Sequence, residues 1–238
     1  GLVDSRYAEF GKMAGAQYLL VGSFQALGDK DTMMLKISAR VIDVSTGVVM
    51  QGQGIDSSGG YKELFGLQDK VAERLISNLK IEVTPEEQKR VALSETNSVV
   101  SYEMYWLAMS EKDPARKIQL YRKALEYDPG YARAHLTLAG TLFMMSMNQP
   151  QHPEIEQHAL EAVRLDPTLA EGYNVAGTYY DRLAFSLSKA GNPAAKQTAA
   201  RAIENYRKFV ELRGDADSFY FKGQVDRAKR KIEELSRM

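Results

Sequence analysis

The chain has 238 residues, with 31 basic and 31 acidic side chains and 44% hydrophobic residues. This composition is typical of a globular protein with an ordinary charged surface, and it excludes a strongly basic nucleic-acid footprint and a long acidic tail. No cysteine is present, which excludes disulfides, thiolate nucleophiles and zinc sites built on sulfur.

The sequence predicts neither a membrane span nor a signal peptide. No apolar run approaches the roughly 20 residues that cross a bilayer, and residues 1–5 lack a basic segment followed by an apolar one. We therefore expect either a cytoplasmic protein or one whose leader precedes residue 1. The abrupt start is typical of a trimmed sequence.

The beginning of the chain predicts a short helix followed by a strand. The helix carries Tyr7, Phe10 and Met13 on one side and ends at Gly15, because glycine tolerates the left-handed conformation at a helix end. Residues 17–26 are rich in β-forming residues and have apolar side chains on both faces. This pattern predicts a strand that is covered on both sides.

Two further strands and a helix complete the layer. Residues 32–44 alternate between apolar and polar side chains, and Gly47 predicts a hairpin turn into a returning strand over residues 48–55. A break over residues 56–60 leads to a helix over residues 61–79, whose apolar side chains recur at helical spacing. The fold class of residues 1–80 is therefore α+β, a three-stranded antiparallel meander with flanking helices.

Three segments of this domain carry a resemblance to a known superfamily. They are GAQYLLVGS from residue 15, ISARVIDVSTG from residue 37 and LFGLQDKVA from residue 64. Together they resemble the bacterial superfamily that contains the TolB amino-terminal domain and the curli-secretion CsgG domain, in the version fused to tetratricopeptide repeats. Members of that superfamily have a further strand before the first helix, and this chain lacks it. The resemblance implies either a truncated domain or a sheet edge that a neighbouring chain pairs.

Residues 81–98 predict a helical linker. Thr84, Pro85 and Glu87 form a strong helix start, since threonine caps the helix, proline suits its first turn and glutamate completes a capping box. We expect this helix to reach about residue 93 and to break over residues 94–98.

Residues 99–238 predict an all-α solenoid of helical hairpins. The segments KALEYDP from residue 123 and EAVRLDP from residue 161 match each other. Each has alanine at its second position, an apolar residue at its third and Asp-Pro at its end. Recurrence at this spacing is typical of stacked hairpins, and the residues resemble tetratricopeptide repeats. We predict three hairpins, with the amphipathic tail over residues 221–235 as a polar capping helix.

No pattern in the sequence predicts catalysis, a cofactor or a metal ion. Residues 52–54 contain two glycines in a predicted hairpin strand, which indicates a bulge or turn instead of a phosphate loop. His135, His152 and His158 lack metal-ligand spacing, and we expect them at the surface. The methionines at 144, 145 and 147 are more typical of core or loop packing than of an adaptable binding surface.

The resemblance to tetratricopeptide repeats implies a concave groove lined by the first helix of each hairpin. The positions that match this lining are Tyr102, Tyr105, Arg133, Leu136, Asn174, Thr178, Asp181 and Arg182. Their mixture of aromatic, amide and charged groups suits an extended peptide or a partner helix. It does not reproduce the basic and asparagine clamp with which some repeats capture a terminal carboxylate. Filling of the groove by the chain's own tail is the alternative.

These features favour a non-enzymatic adaptor or scaffold that binds a peptide or a protein, not nucleic acid, with a homodimer through the sheet edge as a further partner hypothesis. The resemblance implies a bacterial envelope setting, periplasmic or associated with the outer membrane, and a cytoplasmic location is the alternative. A second hypothesis is the carboxy-terminal regulatory half of a larger signalling enzyme such as a nucleotide cyclase. A third is a small-ligand sensor in the α+β domain, with Ser23, Ser38 and Arg40 as its polar candidates.

Overall fold

The computed structural model describes residues 9, 11–29, 32–50, 54–85, 96–146, 152–214 and 219–237. The chain divides into two compact units, Gly1–Ser94 and Glu95–Met238. Most of the linker helix predicted after Thr84 falls on residues 86–95, outside the described ranges, as do Tyr7 and Phe10 of the first predicted helix. Among the described residues, no helix is both long and apolar enough to cross a membrane.

The first unit contains a small antiparallel sheet, as predicted. Strand β1 (Tyr18–Leu27) pairs along its length with β2 (Met34–Asp43), and the other side of β2 pairs with β3 (Val48–Val49) and β4 (Ile55–Gly60). The expected break over residues 56–60 is wrong. Although serine and glycine are poor strand formers, the backbone of these residues completes the ladder with β2 and ends at Gly60.

Helix α1 (Leu64–Asn78) covers part of one face of this sheet. Leu67 of α1 lies against Gly59 of β4, where a Cβ atom would come within 3.1 Å of the leucine side chain. Neighbouring positions on the same face are buried, including Leu35, Ala39 and Ile55. The apolar core of the first unit therefore lies between α1 and the β2–β4 half of the sheet.

Strand β1 is not covered on both sides, contrary to its sequence pattern. Leu20 is 55% exposed and Phe24 is 68% exposed. The physical reason is the position of α1, which packs on β4 and β2. In β1, apolar residues on both faces therefore do not indicate that both faces are buried.

Among the residues that the structure describes, the second unit contains three helical hairpins and a final helix. In chain order these are α2 (Val99–Ser110) with α3 (Pro114–Tyr127), α4 (Ala132–Met145) with α5 (Pro153–Leu165), α6 (Ala170–Lys189) with α7 (Ala194–Arg213), and α8 (Phe219–Leu235). Each helix packs on the next, and α4 also packs on α6, the first helix of the following hairpin. This arrangement is a stack of hairpins, as the repeated segments predict.

The Asp-Pro pair makes equivalent turns between successive hairpins. Asp128 accepts a hydrogen bond from the backbone N–H of Gly130 at 2.9 Å, and Asp166 accepts one from the N–H of Thr168 at 2.9 Å. Proline ends the preceding helix because it lacks an N–H and restricts the residue before it. The aspartate then satisfies the turn locally, which explains why the two residues recur together.

Small residues allow the paired helices to touch. Ala124 and Ala162 have no exposed surface, and a Cβ atom at Gly177 of α6 would lie 2.8 Å from Cδ1 of Tyr206 on α7. Tyr206 is itself buried, so its ring has little room to move away. Close helix contact at Gly177 therefore depends on the absence of a side chain.

We predict opposite stability effects for two glycine substitutions in this unit. Gly177→Ala forces a contact with the Tyr206 ring and is expected to lower the free energy of unfolding by about 1–2 kcal/mol. Gly140→Ala is the matched control, because no heavy atom lies within 4 Å of its Cβ position. Alanine favours a helix, so this change is expected to raise the free energy by up to about 1 kcal/mol. Urea unfolding measures both, and equal effects would contradict the close contact.

Candidate functional site

A groove of about 720 Å³ runs along α4. Its lining comes from the loop after α2, from α3, from α4 and from the start of α6. The apolar part of the lining comprises Pro114, Tyr121, Leu136, Gly140, Met144, Met145 and Val175. A concave apolar surface of this size is typical of a site for another molecule.

The shape of the groove depends on a glycine. Gly140 lies in the interior of α4, and nothing occupies the space that its side chain would fill. A helix-interior glycine weakens the helix relative to alanine, yet here it lowers the floor of the groove. The missing side chain leaves room for a side chain of a binding partner.

The two threonines of the lining expose little hydrogen-bonding capacity. Thr137 donates its hydroxyl hydrogen to the carbonyl of Arg133 at 2.9 Å, and Thr141 donates to the carbonyl of Thr137 at 2.8 Å. Both hydroxyls are therefore satisfied within α4. The wall of the groove remains largely apolar as a result.

The charged groups at the groove leave an excess of positive charge. Glu171 forms an ion pair with Arg213, which neutralises the carboxylate of the lining. Lys112 and Lys117 also line the groove, and neither forms an ion pair with any residue that the structure describes. The groove therefore combines an apolar floor with two lysines available to a negatively charged partner.

The sequence-predicted groove residues divide into separate groups. Leu136 lines the groove, Tyr102 and Asn174 are half-buried, and Arg133 is exposed. Tyr105 is only 4% exposed, because its ring packs between Tyr121 and Tyr131, with centroid distances of 5.8 and 5.0 Å. Tyr105 is therefore a core residue, and no partner can reach it in this structure.

Three predicted residues in the middle of α6 are engaged within the chain, namely Thr178, Asp181 and Arg182. The hydroxyl of Tyr206 donates to Thr178 at 3.3 Å, and Lys231 of α8 pairs with Asp181 at 3.3 Å. The guanidinium of Arg182 lies 4.0 Å from the centre of the Phe143 ring, a cation–π contact. The tail helix thus contacts α6 through Asp181, whereas no described side chain of α8 lines the groove along α4.

Met144 and Met145 are not core residues, contrary to the sequence prediction. They are 67% and 52% exposed, and both line the groove. Met147 lies outside the described residues. Flexible, polarisable methionine side chains adapt to varied apolar partners. Their position in the groove therefore favours an adaptable binding surface, which the sequence analysis ranked below core or loop packing.

Sequence reasoning missed Lys112, Lys117 and Val175 as groove residues. Lys112 lies in the loop after α2 and Lys117 in the second helix of the first hairpin, whereas the family pattern assigns the groove to first helices alone. The proximity of these lysines to α4 depends on the packing of α3 against α4. No short-range signal in the sequence reports that contact.

His135 and His158 lie in the hairpin interior instead of at the surface, which corrects the sequence prediction. His135 is 8% exposed, and the two Nδ1 atoms are 2.8 Å apart. The Nε2 of His135 lies 3.0 Å from the carbonyl oxygen of Pro129. Because a carbonyl only accepts, His135 donates from Nε2, and its Nδ1 must accept the proton that His158 donates from its own Nδ1. The pair therefore joins α4 and α5 in the neutral state.

The third predicted site, on the sheet, is an open polar surface. Ser23 lies opposite Ser38 in the ladder between β1 and β2, and Ser38 donates its hydroxyl hydrogen to Asp56 at 2.5 Å. Ser23 and Arg40 are exposed. Among the described residues, no group of three or more histidine, cysteine or acidic side chains is placed to hold a metal ion.

Comparison with known proteins gives limited similarity. No protein-family model matches the chain. A curated protein described as putative adenylate cyclase 3 of Rhizobium meliloti (strain 1021) is 27% identical over 174 residues, which cover 67% of this chain and only 28% of that protein.

Three solved structures are among those similar to this chain. The Sgt2 TPR domain from Aspergillus fumigatus has a TM-score of 0.43 and 23% identity, covering 61% of this chain and 87% of its own. The first TPR of Spaghetti (RPAP3), bound to the HSP90 peptide SRMEEVD, has a TM-score of 0.42 and 16% identity. The match covers 58% of this chain and 91% of that one. MamA has a TM-score of 0.40 and 16% identity, and the match covers 73% of this chain and 82% of the MamA chain.

We predict that the histidine pair makes the helical unit sensitive to acid. Burial, followed by the nearby His135, lowers the pKa of His158 from 6.5 to about 4, although Glu154 and Glu161 oppose this shift. The unfolded chain therefore binds more protons below pH 6.5. Stability is fully present above that pH and decreases as the pH falls towards 4, by up to about 3 kcal/mol.

Thermal unfolding at pH 7 and pH 5 measures this effect. In His158→Gln the decrease in melting temperature between the two pH values is expected to be smaller than in the parent chain. The matched control His152→Gln removes a histidine outside the pair and is expected to behave as the parent. An unchanged pH dependence in His158→Gln would contradict the assignment.

Proposed function

We propose that the helical unit is a non-enzymatic, tetratricopeptide-like interaction module that binds a segment of another protein in the groove along α4. The observation that carries the proposal is the combination of an open apolar floor at Gly140 with two lysines that lack ion pairs among the described residues. A catalytic site needs convergent acid, base or nucleophilic groups. The groove lining supplies apolar contact and charge instead.

The chemistry of the groove favours an amphipathic segment with acidic side chains. An apolar ridge of such a segment buries surface against Leu136, Met144 and Val175, and its acidic groups face Lys112 and Lys117. Apolar burial supplies most of the affinity, while the charges fix orientation and discriminate between partners. The envelope setting implied by the sequence resemblance stays a prediction.

A designed peptide tests the charge preference. The probe is a fluorescein-labelled helical peptide with one leucine ridge flanked by glutamates, and its matched control carries lysine at each glutamate position. The glutamate peptide is expected to bind about tenfold more tightly, since each exposed ion pair contributes about 0.5–1 kcal/mol. The Lys112→Glu/Lys117→Glu double variant is expected to reverse this preference in fluorescence anisotropy.

A second pair of variants tests the location. Gly140→Trp places an indole ring over the floor of the groove, where nothing lies within 4 Å of the Cβ position, and is expected to abolish binding. Gly223→Trp is the control, because Gly223 lies on α8 and also has nothing within 4 Å of its Cβ position. Equal affinity for both peptides, or binding that survives Gly140→Trp, would overturn the proposal.

A second function is favoured by the similarity to putative adenylate cyclase 3. We infer that the chain is the regulatory part of a longer signalling enzyme, in which partner binding at the groove adjusts a separate catalytic domain. We expect the complete reading frame to encode a cyclase domain, and the purified product to change its rate of cyclic nucleotide formation when the Lys112→Glu/Lys117→Glu variant is introduced. A reading frame with a lipoprotein signal and no catalytic domain would contradict this inference and favour the envelope adaptor.

A further inference from the structure

Strand β1 has an edge that no described strand pairs. Val44 donates its N–H to the carbonyl of Gln17, and alternate residues of an antiparallel strand direct their backbone groups to opposite neighbours. The odd-numbered residues of β1 therefore bond to β2. The N–H and C=O groups of Leu20, Gly22 and Phe24 point to the other edge, where the described part of the sheet has no strand.

This edge has none of the usual protection against pairing. Proteins shield open edges with charged side chains, prolines, bulges or very short strands. The sequence of β1, YLLVGSFQAL, contains no charged residue and no proline, and the strand is 10 residues long. Its register with β2 continues without a bulge from Tyr18 opposite Asp43 to Leu27 opposite Met34.

An uncovered apolar surface lies beside the open edge. Directly opposite residues of a ladder share a face, so Leu20 shares a face with Val41, and Phe24 with Ile37. Val41 is buried on this face, whereas Leu20 and Phe24 are more than half exposed. A further strand at this edge would extend the core of the unit.

We propose that two copies of the chain associate through β1, antiparallel, with Gly22 opposite Gly22 of the second copy. In this register Leu20 faces Phe24 and Tyr18 faces Ala26 across the interface. All of these residues are even-numbered, so their N–H and C=O groups point to the open edge. Uncharged side chains thus meet at all of these positions, and the outward N–H and C=O groups of the two copies are satisfied by each other.

A second copy is favoured over another partner because the edge is complementary to itself. The strand carries no charge, so two copies do not repel each other when their edges meet. The apolar pair Leu20 and Phe24 is placed symmetrically about Gly22, so the same surface serves both chains. The two sheets become one continuous sheet with a shared apolar face.

Light scattering with multi-angle detection tests the association on the full chain over a broad dilution series. The parent chain is expected to have twice the monomer mass at high concentration. Phe24→Lys places a charge at an exposed position of the interface and is expected to give a monomer at every concentration. Val48→Lys is the matched control on β3, also at an exposed apolar position, and is expected to remain dimeric. Circular dichroism establishes that the variants are folded.

A charge pair tests the register. The double variant Leu20→Glu/Phe24→Lys places opposite charges face to face across the interface and is expected to restore the dimer that Phe24→Lys loses. A double variant that stays monomeric would overturn the Gly22-centred pairing. A monomeric parent chain, or a dimer that survives Phe24→Lys, would overturn association through β1.

Discussion

Close contact between paired helices is the constraint on which the helical unit depends. Ala124 and Ala162 are fully buried, and the Tyr206 ring occupies the space that a side chain at Gly177 would need. These contacts set the distance between the helices of each hairpin and hold successive hairpins in a stack. Because the stack is fixed in this way, α4 is held between α3 and α6, and its remaining surface forms the floor of the groove.

The groove follows from what this packing leaves uncovered. The hydroxyls of Thr137 and Thr141 bond within α4, and Met144 and Met145 are exposed because none of the described helices covers them. Lys112 and Lys117 reach the same surface from the first hairpin. A partner that supplies both apolar surface and negative charge would satisfy all of these groups together.

The sequence predicts elements well where a local pattern has a local cause. The repeated Asp-Pro pair marks the turns at Asp128 and Asp166, since both the helix end and its hydrogen bond lie within a few residues. The sequence fails where burial depends on distant neighbours. Exposure of Phe24 on β1 is set by the position of α1, and the contact between the His135 and His158 rings is set by the packing of α4 on α5. Groove residues contributed by α3 were missed for the same reason.

Methionine oxidation tests the location of the bound partner most directly. Hydrogen peroxide converts exposed methionines to sulfoxides, and mass spectrometry measures the rate at Met144 and Met145, with Met13, 87% exposed, as the internal control. Binding of the glutamate peptide in the groove is predicted to slow oxidation of Met144 and Met145 and to leave the rate at Met13 unchanged. Unchanged oxidation of both groove methionines when the peptide is saturating would contradict the groove as the binding site.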